Sequence, residues 1–260
     1  MISLEQKQTF EERGYVRLSS VFSKEQALAM QDRIWRSLEE RFSIDRLDSR
    51  TWKNASLPLR LQHLQGEEAF KPIGNSPTIM AIDAILGEGA WVHPWHWGQF
   101  LVGFPTGKSW DLPKEIWHTD FGFEQPIDQL SGVLVFSIIS DVQSEYGGTG
   151  IVSGSHRLIK RFLEQSLFPN RTKMKPIRKA FMAHHPWLEQ LAGKGEQSNR
   201  RQTFMERDTT IDGIPLKAEE ITGQAGDVII AHPWLLHCSS PNCSDQVKMM
   251  RVQRVHRKEE

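Results

Sequence analysis

A chain of 260 residues, 38% hydrophobic and 25% charged, is long enough to close one large core and reads as an ordinary soluble globular protein, a single domain over 1–260. Its 32 basic and 32 acidic residues cancel, which removes the electrostatic footprint of a nucleic-acid binder or of a protein held on anionic membranes and leaves a small molecule as the expected partner. No stretch approaches the roughly 20 apolar residues that span a bilayer, and the opening MISLEQKQTFEERG has neither the basic end nor the apolar middle of a signal peptide, so a cytoplasmic location is expected.

Residues 4–14 have a helical pattern that stops at Gly14, and YVRL then alternates like a short strand. A second helix is predicted from Ser23, where Ser23 and Gln26 form a capping-box pair. Ala27, Met30, Ile34 and Leu38 recur at helical spacing to about Arg41. Residues 43–76 are Pro/Gly-punctuated and read as loop with short elements, and a further helix runs from Thr78 to Leu86, closed by Gly87.

The period then becomes strand-like. WVHPWHWGQFLVGF (91–104), SGVLVFSIISDV (131–142), TGIVSG (149–154), GDVIIAHPWLLH (226–237) and VKMMRVQRVH (247–256) are aromatic or β-branched runs bounded by turn residues. Short strands with long excursions predict a mainly β protein with flanking helices, built on a jelly-roll, cupin-like double sheet that forms a double-stranded β-helix core. The stretch at about 156–217 breaks the rhythm, with a helix over 157–166 and a basic run through Arg200 and Arg201. It is expected to be one long insertion that could cover a pocket.

His118-Thr119-Asp120 puts two hard ligands on one edge of a strand, because alternate residues face the same way. Two imidazoles and one carboxylate fit one face of a ferrous ion and leave positions open for an oxo-acid and O2. With 10 His and 32 acidic residues, about one such pair is expected by chance, so the context must carry the reading. Far downstream the GDVII segment ends in His237, followed by the turn CSSPN and a strand rich in basic residues, where a cation is needed to meet the far carboxylate of 2-oxoglutarate.

His232 lies five residues before His237, so on a regular strand the two face opposite ways, and His237 is taken as the ligand. His93 and His96 sit among tryptophans and read as pocket or core residues, His184 and His185 as loop residues, and His156 as structural at a helix start. Trp91, Trp95, Trp97, Trp110 and Trp117 precede His118 closely; they are read either as walls of an apolar substrate pocket or as packing between sheets. Gln99 is a candidate hydrogen-bond partner for the oxo-acid or the substrate. Cys238 and Cys243, five apart, read as spare thiols.

FEERGYVRLSSVFSKEQ (10–26), WHTDFGF (117–123), DVQSEYGGTGIVSGSHR (141–157) and GDVIIAHPWLLHCSSPN (226–242) together resemble the phytanoyl-CoA dioxygenase-like family of iron and 2-oxoglutarate oxygenases. The resemblance covers most of the chain outside the insertion. It implies a jelly-roll core, Fe(II), 2-oxoglutarate and O2 as co-substrates with ascorbate supportive in vitro, and release of succinate and CO2. It places His118 and Asp120 on the proximal ligands and His237 on the distal one. The family usually clamps 2-oxoglutarate with an Arg eleven residues past the distal His; here that position is Lys248, and Arg251 three further on is the other candidate, the one slightly preferred because a guanidinium grips both carboxylate oxygens. Ser153 stands where the family more often has Pro.

Relatives that halogenate lack the carboxylate ligand, so Asp120 makes hydroxylation the expected outcome, with desaturation or cyclisation as alternatives. A different class of reading, a non-catalytic cupin-like module binding structural zinc, requires a fourth ligand, and Cys238 points away from its neighbour His237.

Overall fold

Ser3 and Ser23 each open a helix in the same way. The serine hydroxyl accepts from the N–H of the residue three further on, Gln6 or Gln26, whose side chain accepts from the serine N–H. These capping boxes start α1 (Leu4–Arg13) and α2 (Lys24–Phe42). Gly14 ends α1 at φ +84°, and a Cβ there would lie 2.5 Å from Nδ1 of His156, so both the backbone and the space require glycine. The structure, a computed structural model, describes residues 2–55, 59–114, 117–124, 126–166, 168, 170–193 and 199–259.

After α1 come β1 (Tyr15–Leu18), α2, several 3-10 turns over 49–74 and α3 (Ser76–Leu86). The β core follows as β2 (Gln99–Gly103), β3 (Gly132–Ile138) and β4 (Gly150–Ser153). Next are α4 (Ser155–Gln165), α5 (Met174–His184), α6 (Pro186–Leu191), then β5 (Thr209–Ile211) and β6 (Ile214–Glu220). The chain closes with β7 (Val228–Ala231), β8 (His237–Cys238) and β9 (Lys248–His256). The strands form two antiparallel sheets, in the orders β1-β7-β3-β9-β2 and β5-β6-β4-β8. Among the described residues no helix is long and apolar enough to cross a membrane.

The larger sheet is covered on both faces, which is why β3 is buried at every position. Leu134, Phe136 and Ile138 of β3, Ile229 of β7 and Met250 of β9 turn inward to the smaller sheet. Val133, Val135, Val228, Ile230, Met249 and Val255 turn outward to a second core closed by α2 and α3, with Met30, Ile34, Leu38 and Ile82. Strand alternation therefore assigns each β9 residue to a face.

Two expectations change. The run 91–104 is a strand only from Gln99, because Pro94 offers no N–H to a ladder; Trp91 makes just an isolated bridge to Arg257. The run 226–237 is two strands: at His232-Pro233 the chain turns, with Leu235 N–H donating to the His232 carbonyl, and leaves the larger sheet for the smaller. The stretch at 156–217 leaves the smaller sheet after β4 and returns to it through the β5-β6 hairpin, whose Lys217–Glu220 pair with Ser153–Gly150. Residues 194–198 within it lie outside the described residues.

Candidate active site

His118 and His237 face each other in an isolated antiparallel bridge between the two chain segments, each donating its N–H to the other's carbonyl at 2.9 Å. This closely spaced backbone pair brings the two imidazoles to a centroid separation of 4.3 Å. Asp120, two residues on, returns to the same side. Its Oδ1 lies 3.8 Å from Nε2 of His118 and its Oδ2 3.6 Å from Nε2 of His237. One ligand atom from each residue falls within 4.8 Å of the others.

The donor set fits an octahedral transition metal that keeps open positions. His237 donates from Nδ1 to the Leu235 carbonyl at 2.9 Å, which fixes the tautomer and leaves the Nε2 lone pair toward Asp120. Burial acts to raise the Asp120 carboxyl pKa, but His237 and His118, when protonated, and the charge of Arg254 outweigh it and hold the group below its ordinary value. The loop carrying Asp120 is tied down on both sides: Trp234 Nε1 donates to the Gly122 carbonyl and Thr119 Oγ1 to that of Phe121.

The three side chains line one recess of about 620 Å³ together with Gln62, His96, Gln99, Gln253, Arg254 and His256. Leu101, Phe136, Thr149 and Cys238 also contribute to its walls, and burial pushes the Cys238 thiol well up, so it is an inert neutral wall. Gln99 is thus brought to the site. The tryptophans are not: Trp91, Trp97 and Trp117 are buried in the cores, Trp95 is 78% exposed, and none of the five lines this recess. The described residues of the stretch at 156–217 contribute nothing to this lining; Met174 borders a neighbouring recess that Asp120 also lines.

His232 is buried against Phe10, His156 and Trp234, its Nδ1 accepting from Trp234 N–H, and it stands outside the ligand cluster. His156 lies in the first turn of α4, bonded to the Glu11 carbonyl.

The two cations expected to meet 2-oxoglutarate have different surroundings, and neither lines the recess. Arg251, preferred from the sequence, faces the outer core. Its guanidinium lies 4.7 Å and 4.4 Å from the ring centroids of Phe70 and Phe100, and it donates to the Gly98 and Gln65 carbonyls. Lys248 is on the inner face with Met250 and Val252, its stem lying across Gly103, where a Cβ would sit 3.2 Å from Cε. Burial pushes its pKa down to about 8, opposed by the Glu220 charge. Glu220 in turn accepts from the N–H groups of Glu145 and Gly148 at 2.6 and 2.8 Å. Alternation puts Arg254 on this inner face too, toward the mouth; the sequence reading passed over it, although its parity with Lys248 on a nine-residue strand was visible.

Residues 10–250 match the phytanoyl-CoA dioxygenase family, a span that covers the ligand triad and every strand but most of β9. The chain belongs to that family. Its fold is shared with the non-haem α-ketoglutarate-dependent carbocyclase SnoK of nogalamycin biosynthesis, at 18% identity and TM-score 0.57, over 98% of this chain and 84% of that one. The epimerase SnoN, solved with Fe3+, α-ketoglutarate and a nogalamycin compound, gives 15% identity and TM-score 0.54 over 97% and 82%. The non-haem monooxygenase ThoJ gives 17% and 0.54 over 96% and 76%. No curated protein sequence matches the chain. The two-sheet, helix-flanked fold expected from the sequence is thereby established.

Proposed function

We propose that this chain is an Fe(II)- and 2-oxoglutarate-dependent oxygenase that oxidises a small organic molecule and releases succinate and CO2, with His118, Asp120 and His237 as the metal ligands. The observation that carries the reading is the convergence of these three donors within 4.8 Å on the wall of an open recess, in a chain of the phytanoyl-CoA dioxygenase family. A structural zinc site fills four protein positions. Here three donors form the cluster among the described residues, and it opens onto space.

When bound, the ferrous ion supplies the activation of O2 against 2-oxoglutarate. The chain's own part is positional. His237 is held in one tautomer by Leu235, and Asp120 is kept ionised. Lys248 is the residue we assign to the far carboxylate of 2-oxoglutarate, since it lies on the recess side of β9 while Arg251 is spent on the outer core. Gln99, paired with Val252 on the same face, is placed to donate an amide N–H to the oxo-acid or substrate. Phe136 and Leu101 exclude water from the inner wall.

Hydroxylation is the proposed outcome, because Asp120 occupies the position a halide would need. SnoK and SnoN are named as a carbocyclase and an epimerase, so ring closure or inversion is the competing outcome within one reaction class. Turnover of 2-oxoglutarate across a small-molecule panel under 18O2 tests both. Label in succinate and in one product oxygen supports hydroxylation. A product two hydrogens lighter without new oxygen means cyclisation or desaturation, and an isomer of unchanged mass means inversion. Iron-loaded protein with no substrate-dependent succinate contradicts the oxygenase reading.

A further inference from the structure

The recess meets solvent along the last turns of β9, where Val252, Arg254 and His256 share the inner face. Among the described residues Arg254 is the only Lys or Arg in its lining. Among the described residues its guanidinium makes no hydrogen bond or ion pair, whereas the other cations of this region are engaged: Arg251 with two carbonyls and two rings, Arg257 with the carbonyls of Leu130 and Leu86. With the chain's charge balanced at 32 against 32, a free cation beside the ligands is not the overflow of a basic protein. Gln62, Gln99 and Gln253 add amides to the same wall, and the tryptophans that would have made it apolar are elsewhere.

We infer that Arg254 is a specificity-determining residue that binds an anionic oxygen group, a carboxylate or a phosphate ester, of a polar substrate. The inference rests on the oxygenase reading and deepens it. A guanidinium offers two parallel N–H donors to such a group, and the glutamine amides meet hydroxyl or amide groups further along the molecule. An anchored anion at the mouth leaves the rest of the substrate directed inward, toward the face of Asp120 and His237.

The test uses whole protein loaded with Zn(II) and saturating 2-oxoglutarate, which binds without turning over. It is titrated calorimetrically with N-acetyl amino acids, their primary carboxamides, glycerol 3-phosphate and glycerol. Wild type binds the acids or the phosphate at least about tenfold tighter than the neutral partner of each pair, the scale of one charge-assisted contact. The carboxylate and phosphate arms separate the two sources of the anion. Arg254→Gln abolishes the preference and Arg254→Lys keeps part of it. Equal binding of charged and neutral probes by wild type that holds both Zn(II) and 2-oxoglutarate overturns this proposal alone. A loss of 2-oxoglutarate affinity in Arg254→Gln, matching the loss for the probes, assigns Arg254 to the co-substrate and overturns it as well. Wild type that takes up neither Zn(II) nor 2-oxoglutarate fails the oxygenase reading and this proposal with it.

Discussion

Lys248 and Arg251 stand three residues apart on one strand and face opposite sides of the larger sheet, Lys248 against Gly103 and the Glu220 charge, Arg251 between Phe70 and Phe100. Odd spacing on a strand forces this separation. It splits two cations of similar sequence position between the inner and the outer face of that sheet.

Truncating each residue should therefore give opposite phenotypes. Lys248→Met is expected to raise KM for 2-oxoglutarate by on the order of 2–5 kcal/mol equivalent, the cost of a lost contact to a desolvated carboxylate, with little change in Tm. Arg251→Leu leaves the Gly98 and Gln65 carbonyls without their donor and should cost on the order of 2–4 kcal/mol in stability. Steady-state kinetics alongside denaturant unfolding checks both, and a large KM effect confined to Arg251→Leu would reverse the assignment.

The Lys248 ammonium also predicts a pH limit. It carries its charge below its pKa of about 8 and loses it above, so affinity for 2-oxoglutarate should fall as pH rises through that value. A guanidinium at this position stays charged, and Lys248→Arg should flatten the alkaline limb. Binding measured from pH 6.5 to 9.5 reads this directly; parallel curves for the two proteins would exclude Lys248 as the titrating group.

Gly103 supplies the space in which the lysine stem lies, since a Cβ there would meet Cε at 3.2 Å and Nζ at 3.7 Å. Gly103→Val suits an extended strand but should turn Lys248 off its rotamer, at a cost on the order of 1 kcal/mol, or about fivefold in KM for 2-oxoglutarate. An unchanged KM in a folded variant would show that Lys248 does not need this placement.

Acid should destabilise the fold through its buried histidines. Burial holds His156 neutral, lowering its pKa to about 4, and pushes His232 well below its ordinary range. The unfolded chain then binds more protons than the folded one between about pH 4 and 6.5, so stability is present above that window and is lost as pH falls through it, by at most about 1.4 kcal/mol per pH unit for each histidine. His156→Gln should flatten the dependence in urea melts at pH 4.5, 5.5 and 6.5. A slope identical to wild type would place the acid sensitivity elsewhere.

Local signals in the sequence carried much of this architecture. Ser23 with Gln26 and the αL glycine at 14 marked helix ends because capping is a contact within four residues. The β5-β6 hairpin was legible but unread: Asp212 and Gly213 both have positive φ, the turn an Asp-Gly pair favours between alternating strands. The choice between Lys248 and Arg251 lay in strand parity, which has meaning only once it is known which face of β9 meets the smaller sheet. For Trp91, Trp97 and Trp117 the spacing left pocket wall and core packing open, because a large apolar ring fits either and the long-range packing that decides leaves no mark in spacing.

The central claim is tested most directly by anaerobic titration of purified protein with Fe(II). Wild type should bind one ion per chain, and His118→Ala, Asp120→Ala and His237→Ala should each lose that binding while keeping the wild-type circular dichroism spectrum. Retention of one ion by the His237→Ala and Asp120→Ala variants at wild-type affinity would contradict the account.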